Sequence, residues 1–225
     1  KSTVMLTVED EDSKRFAGSA IVLTSEHLLT NRHVWVHGVK PWWESDLLKE
    51  QKVGFYYICD ACDKLHHRSC IFELVAAGEV NSSVNSTELY KDKALSDWAL
   101  IKTTKPFWAN KNCALIYPPA INPQWRVPDE TDIYILGFSS IFRGDESKTN
   151  FIKNGPYTIA AKSILVDGNP AALYESDWPT PLGHSGGGVY VWNDESDQLE
   201  LIGIFHSKSS ATTRANFFDV IKIPI

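Results

Sequence analysis

Short apolar runs recur along the whole chain, each closed by a cluster of Gly, Pro, Asn or Asp. Ala20-Ile-Val-Leu23, Val53-Gly-Phe-Tyr-Tyr-Ile58, Trp98-Ala-Leu-Ile101, Asp132-Ile-Tyr-Ile-Leu136, Tyr157-Thr-Ile-Ala-Ala161, Val189-Tyr-Val-Trp192 and Leu199-Glu-Leu-Ile-Gly-Ile-Phe205 are examples. They are rich in β-branched and aromatic residues, which suit a pleated surface, and too short for an amphipathic helix. Only Trp42 to Glu50 offers a short helical period. Many short strands with turn residues between them predict an all-β sandwich or barrel.

The chain has 225 residues, 43% of them hydrophobic, enough to bury one substantial core as a single domain, 1–225. Pro-rich segments near mid-chain, Tyr117-Pro-Pro-Ala-Ile-Asn-Pro123 and Val127-Pro-Asp-Glu-Thr131, fall where two halves would be joined. The formal charge of -6 and the lack of a Lys/Arg-rich run argue against a nucleic-acid partner. No apolar stretch approaches the roughly 18 residues of a spanning helix, and the N-terminal residues lack signal-peptide architecture. The expected product is soluble, with no membrane span; its oligomeric state is open.

The segment Pro181-Leu-Gly-His-Ser-Gly-Gly-Gly-Val-Tyr190 sets Ser185 among four glycines just before an apolar strand. Alone, a glycine-rich turn holding a serine is weak evidence. Two other segments supply what a serine nucleophile requires. Gly18 to Val34 reads as two short strands around a turn, with His33 at the end of the second, and Leu95-Ser-Asp-Trp-Ala-Leu-Ile-Lys102 places Asp97 just ahead of a strand. A serine hydroxyl attacks only when an imidazole takes its proton, and the imidazole needs a carboxylate to fix its tautomer and stabilise its charge.

These three segments, Thr30-Asn-Arg-His-Val34, Ser96-Asp-Trp-Ala-Leu-Ile-Lys102 and Gly183-His-Ser-Gly-Gly187, resemble the signature segments of chymotrypsin-fold (trypsin-like) serine proteases, nearest to the HtrA/Deg-type branch. Supporting strands extend the likeness over roughly residues 18 to 225. The resemblance implies two six-stranded antiparallel β-barrels, about 1–115 and about 130–225, with the active site between them. It also implies catalytic His33, Asp97 and Ser185, an oxyanion hole from the backbone N–H groups of Gly183 and Ser185, and polypeptide substrates. No cofactor is required by that chemistry. The position six residues before the nucleophile is Pro179, with uncharged Thr180 beside it, so the primary pocket is expected to favour small or medium apolar residues. His206, after the strand that borders the cleft, is expected to touch substrate or Asp97.

The sequence departs from the family pattern in places. His184 stands where digestive-type enzymes carry an acid that pairs with a freed N-terminus, so activation by that route is not expected. Gly188 replaces the usual proline. The long interval between His33 and Asp97 carries Tyr57-Ile-Cys-Asp-Ala-Cys-Asp-Lys-Leu-His-His-Arg-Ser-Cys70. Cys59 and Cys62 with His66 or His67 and Cys70 could hold a structural zinc; a disulfide through Cys70 and unlinked thiols at a hairpin tip are the alternatives. Cys113 reads as an apolar-type residue. The sequons at Asn81 and Asn85 leave the compartment open, with the family likeness leaning toward an extracytoplasmic or secreted site. The competing functional reading is a catalytically silent, peptide-binding or scaffolding member of the same fold, using a Trp-rich surface around Trp35, Trp42, Trp43 and Trp178.

Overall fold

The computed structural model of the chain describes residues 2–9, 15–36, 46–58, 65–79, 96–106, 120–121, 130–138, 140–141, 150–151, 157–165, 174–176, 183–207 and 215–216. The first half contains β1 (Thr3–Glu9), β2 (Arg15–Val22), β3 (His27–Thr30), a short helix α1 (Arg32–Val36), β4 (Glu50–Ile58), β5 (Leu65–Ala77) and β6 (Ala99–Thr103). Its strands close into a barrel in the order β1-β2-β3-β6-β5-β4, every pairing antiparallel.

The second half contains β7 (Ala120–Ile121), β8 (Asp132–Gly137), β9 (Ser140–Ile141), β10 (Asn150–Phe151), β11 (Tyr157–Leu165), β12 (Tyr174–Ser176), β13 (Gly188–Asn193), β14 (Gln198–Ile204), β15 (His206–Ser207) and β16 (Ala215–Asn216). Six of these form a sheet in the order β12-β11-β8-β13-β14-β7. The all-β architecture expected from the sequence is therefore present. Over the described residues the second sheet is open, and its two-residue β7 runs parallel to β14, pairing Ala120 with Glu200 and Ile121 with Leu201.

Alternation along the strands explains how the halves meet. On β2, Ala20 and Val22 point into the barrel while Ile21 and the following Leu23 face the second sheet. Leu28 and Leu29 divide in the same way, as do Ala99 and Ile101 against Leu100. The partners across the junction are Tyr190, Leu201 and Ile204. Val189, Val191 and Ile202 join Ile133, Ile135, Ala161 and Phe205 in a third cluster. Strands buried on both faces read as unbroken apolar runs, since neither face meets water. That accounts for Ala20-Ile-Val-Leu23, whereas β4, with Val53, Phe55 and Tyr57 buried at alternate positions, keeps a half-exposed pattern.

Several local expectations change. His33 was expected at a strand end, but β3 stops at Thr30 and His33 lies in α1, whose turn is closed by Trp35 N–H donating to the Asn31 carbonyl at 3.2 Å. In the turn, buried Asn31 and Arg32 donate to the Asp97 and Gly78 carbonyls, which offsets the cost of burying them. The helical period expected from Trp42 to Glu50 falls partly outside the described residues; residues 46–49 are irregular and Glu50 opens β4. Trp35, assigned above to a binding surface, is a core residue at 1% exposure, its indole N–H donating to the Leu48 carbonyl at 3.0 Å. An indole so placed fills the barrel and cannot meet a partner protein. Trp42, Trp43 and Trp178 lie outside the described residues.

The described parts of the Cys/His stretch lie on two paired strands. β4 and β5 pair from Glu50 opposite Glu73 to Ile58 opposite Leu65. Cross-strand rings meet along it, Tyr56 with His67 at 4.4 Å and Tyr57 with His66 at 5.5 Å between centroids, the contacts that stabilise such ladders.

Candidate active site

The segment Thr30-Asn-Arg-His33 builds one wall of the site, and each side chain has a separate partner. Thr30 Oγ1 donates to the Ser19 carbonyl at 2.7 Å. Asn31 Nδ2 donates to the Asp97 carbonyl at 2.7 Å, and Arg32 Nη1 to the Gly78 carbonyl at 2.6 Å. The His33 backbone N–H donates to Asp97 Oδ1 at 2.9 Å, while its ring Nδ1 pairs with Asp97 Oδ2 at 2.6 Å. Asp97 therefore binds His33 twice, through main chain and ring, which fixes both ring position and tautomer.

Asp97 is fully buried just before β6. Burial by itself would raise its carboxyl; the charges and hydrogen bonding of the His33 and His206 imidazoles outweigh that and hold it well below the usual carboxylate range. It is an anion wherever His33 can act as a base. His33 remains partly open, its side chain 26% exposed.

Ser185 occupies a turn fastened by main-chain bonds on both sides. Its carbonyl accepts from Ser19 N–H at 2.7 Å, Gly187 N–H donates to the His184 carbonyl at 2.8 Å, and Gly186 N–H donates to the Phe205 carbonyl at 2.9 Å. Ser19 is the hinge pin between the halves: its Oγ donates to the Gly183 carbonyl at 2.9 Å and accepts from Phe138 N–H at 2.8 Å. Gly18 beside it leaves room for close approach, since a Cβ there would lie 2.6 Å from a Val34 methyl and 3.2 Å from the Ser185 carbonyl oxygen. Val34, the residue after His33, and the Ser185 carbonyl thus both pack against Gly18 of β2. Among the described residues, the Ser185 hydroxyl makes no hydrogen bond to the His33 ring; such bonds are commonly open without substrate and close in the Michaelis complex.

The glycines of this turn have distinct duties. Gly183 and Gly186 both have positive φ, 96° and 85°, a region costly for other residues. Among the described residues, neither the Gly183 nor the Ser185 N–H donates a hydrogen bond. A Cβ on Gly186 would stand 2.1 Å from the Ser19 carbonyl oxygen. Gly186→Ala is expected to destabilise the protein by about 2 kcal/mol or more, from backbone strain and overpacking together. Urea unfolding measures it; an unchanged midpoint would contradict the close fit of turn and barrel.

The remaining sequence-derived residues divide clearly. His206 points its Nδ1 at Asp97 Oδ2, and its ring stands edge-on to His33 with centroids 5.2 Å apart. Of the two contacts expected for it, the one with Asp97 is formed. His184 is fully buried with its ring against Phe205, so it serves the packing beneath the turn. Pro179 and Thr180 lie outside the described residues, as do Asp177, Cys59, Cys62 and Cys113. His66 and Cys70 are four residues apart on one strand, roughly 13 Å along it. Two ligands of one tetrahedral zinc sit within about 4 Å of each other, so the strand does not bring His66 and Cys70 to a common ion. Cys70 is a free thiol, so the disulfide through Cys70 is not formed; burial pushes that thiol up, against the pull of Arg68 and Lys105.

His33, Asp97 and His206 are the described residues whose metal-ligating atoms lie within 4.8 Å of one another. Both imidazoles already face the same carboxylate oxygen through Nδ1.

No family model matches the sequence, and no curated protein does. Among solved structures the chain is similar to the scabies mite inactivated protease paralogue S-I1, with a TM-score of 0.59, 13% identity, and coverage of 97% of this chain and 89% of that one. This chain has the chymotrypsin-type fold. Within the chymotrypsin-type fold, the barrel supplies His33 and Asp97, and the second sheet supplies the turn that carries Ser185. No helix among the described residues is long and apolar enough to cross a membrane.

The sequence reading passed over Ser19, Asn31 and Arg32. Ser19 and Asn31 are fully buried and Arg32 nearly so, and consecutive polar residues with no exposure at the end of an apolar strand must find partners nearby.

Proposed function

We propose that this protein is a serine endopeptidase: Ser185 attacks the scissile carbonyl, His33 takes and returns the proton, and Asp97 orients and stabilises the imidazolium. The observation that carries the reading is the double hold of Asp97 on His33, beside a glycine turn whose free N–H groups belong to Gly183 and Ser185. In the mechanism, Ser185 Oγ forms a bond to the carbonyl carbon as its proton passes to His33 Nε2. The carbonyl oxygen becomes an anion and is met by the two N–H groups. His33 then protonates the leaving amine, the acyl group remains on Ser185, and water activated by the same imidazole releases the acid. The chain supplies nucleophile, base and oxyanion donors itself, so the reaction needs no cofactor.

The second reading is a catalytically silent member of the fold. It is favoured by the similar mite protein, which is described as an inactivated protease paralogue. Against it, His33, Asp97 and Ser185 are all retained here, and Trp35 is withdrawn from the surface that would have bound a partner. Kinship with the HtrA/Deg-type branch rests on the motifs alone.

Peptide-library cleavage by wild type and Ser185→Ala separates the readings. The expected result is serine-dependent cleavage after small or medium apolar residues such as Val, Ala or Leu. With Pro179 six residues before the nucleophile and Thr180, Pro181 and Leu182 uncharged, a substrate cation would lose its hydration without gaining a partner. A preference for Arg or Lys would point instead to Asp177, and no cleavage by folded wild type would favour the silent reading.

A further inference from the structure

His206 is used by neither the nucleophile nor the oxyanion donors, yet it stands against the most buried charge in the site. It follows Phe205, whose carbonyl and N–H bond to Gly186 and Gly187, so its position is tied to the nucleophile turn. It reaches from the start of β15, in the second half of the chain, to Asp97 in the first half. Its Nδ1 pairs with the same Oδ2 that His33 Nδ1 uses. Two imidazoles thus share one carboxylate oxygen, and charges in contact interact strongly where water is excluded.

We propose that His206 is a positioning residue that shares the catalytic carboxylate with His33: it braces Asp97 from the start of β15 and, when protonated, occupies the carboxylate's charge so that His33 stays a free base in mildly acidic solution. This rests on the protease reading for its catalytic consequence. One carboxylate can neutralise one imidazolium. With ring centroids 5.2 Å apart, a proton on His206 repels a second proton from His33, since like charges at that range disfavour each other. Among the described residues, the surrounding groups do not reverse the sign. Arg32 on α1 is a further cation felt by Asp97, with its guanidinium turned to the Gly78 carbonyl. His184 is buried behind Phe205, and the residue paired with His206 on β16 is the uncharged Asn216.

Without His206, His33 alone faces the carboxylate and takes up its inactivating proton at higher pH. The test is the pH profile of kcat/KM for wild type, His206→Ala and His206→Asn, paired with imidazole ¹⁵N titration of the same proteins. In both variants the acid limb is expected to move up by on the order of one pH unit. At the alkaline plateau kcat of His206→Ala should fall roughly tenfold, with KM nearly unchanged, and His206→Asn, which can brace but not charge, should recover most of that loss without restoring the acid limb. In the NMR titration, wild type should show His33 and His206 titrating in two coupled steps, and each variant a single His33 step at higher pH.

An acid limb and a His33 titration that stay put in both variants would overturn the proposal. So would a loss that is uniform across pH and fully repaired by asparagine, which would mark a structural contact only. The NMR arm does not need turnover: wild type that hydrolyses nothing but shows the coupled steps would refute the protease reading while supporting the shared carboxylate.

Discussion

Replacing Ser185 by alanine is expected to lower peptide and ester hydrolysis by on the order of 10⁵-fold or more while leaving the melting temperature nearly unchanged. The turn is held by main-chain bonds from Ser185, Gly186 and Gly187 and by the Ser19 hydroxyl, none of which uses Ser185 Oγ. Removing that oxygen therefore takes away the nucleophile and little else. Any residual rate would come from substrate binding and from the Gly183 and Ser185 N–H groups, which the substitution keeps. Steady-state turnover and a thermal melt on the same sample check both halves of the expectation. Turnover near wild type would remove Ser185 from the mechanism.

Asp97→Asn is expected to reduce kcat by about 10⁴-fold. The amide is nearly the same size as the carboxylate, and its oxygen can still accept the His33 backbone N–H. What changes is the face shown to the ring: an NH₂ there pairs only with an unprotonated Nδ1, forcing the tautomer whose Nε2 carries the proton and cannot accept one from Ser185. The charge that stabilises the imidazolium is also lost. Because the surrounding imidazoles keep Asp97 ionised far below neutrality, the defect should persist at every pH where His33 is neutral. A pH–rate profile of the variant parallel to wild type and close to it in height would contradict this assignment; Asp92, on the same approach in the sequence, would be the next candidate.

Much of this arrangement was legible because it depends on local chemistry. The apolar runs at Ala20, Trp98 and Val189 announce strands, and Asp97 and Ser185 each stand just ahead of one. Burial of β2, β3 and β6 on both faces could be read as apolar runs but not as an interface, since a run says that both faces are covered and not by what. Ser19 was illegible for a related reason. A serine in a strand looks like a surface residue until the fold brings Gly183 and Phe138 to it from more than a hundred residues away.

His33 was misplaced because Leu28-Leu29-Thr30 is a sound strand, and only the partners of Asn31 and Arg32 reveal where it ends. For the zinc expectation, Cys59 and Cys62 lie outside the described residues. Cys59, Cys62, His66 and Cys70 look clustered in sequence, but β5 is extended through His66 and Cys70, and extension separates what a turn would gather. Of the two contacts expected of His206, the one with Asp97 depends on the hold that Gly186 and Gly187 exert on Phe205.

The central claim is that His33 and Asp97 activate Ser185. Reaction with an active-site-directed fluorophosphonate, followed by peptide mass analysis, tests it without knowledge of the substrate. Folded wild type should be labelled stoichiometrically at Ser185, and Ser185→Ala and His33→Ala should remain unlabelled under the same conditions. Folded wild type that stays unlabelled, or label that persists in Ser185→Ala at wild-type rate, would contradict the account.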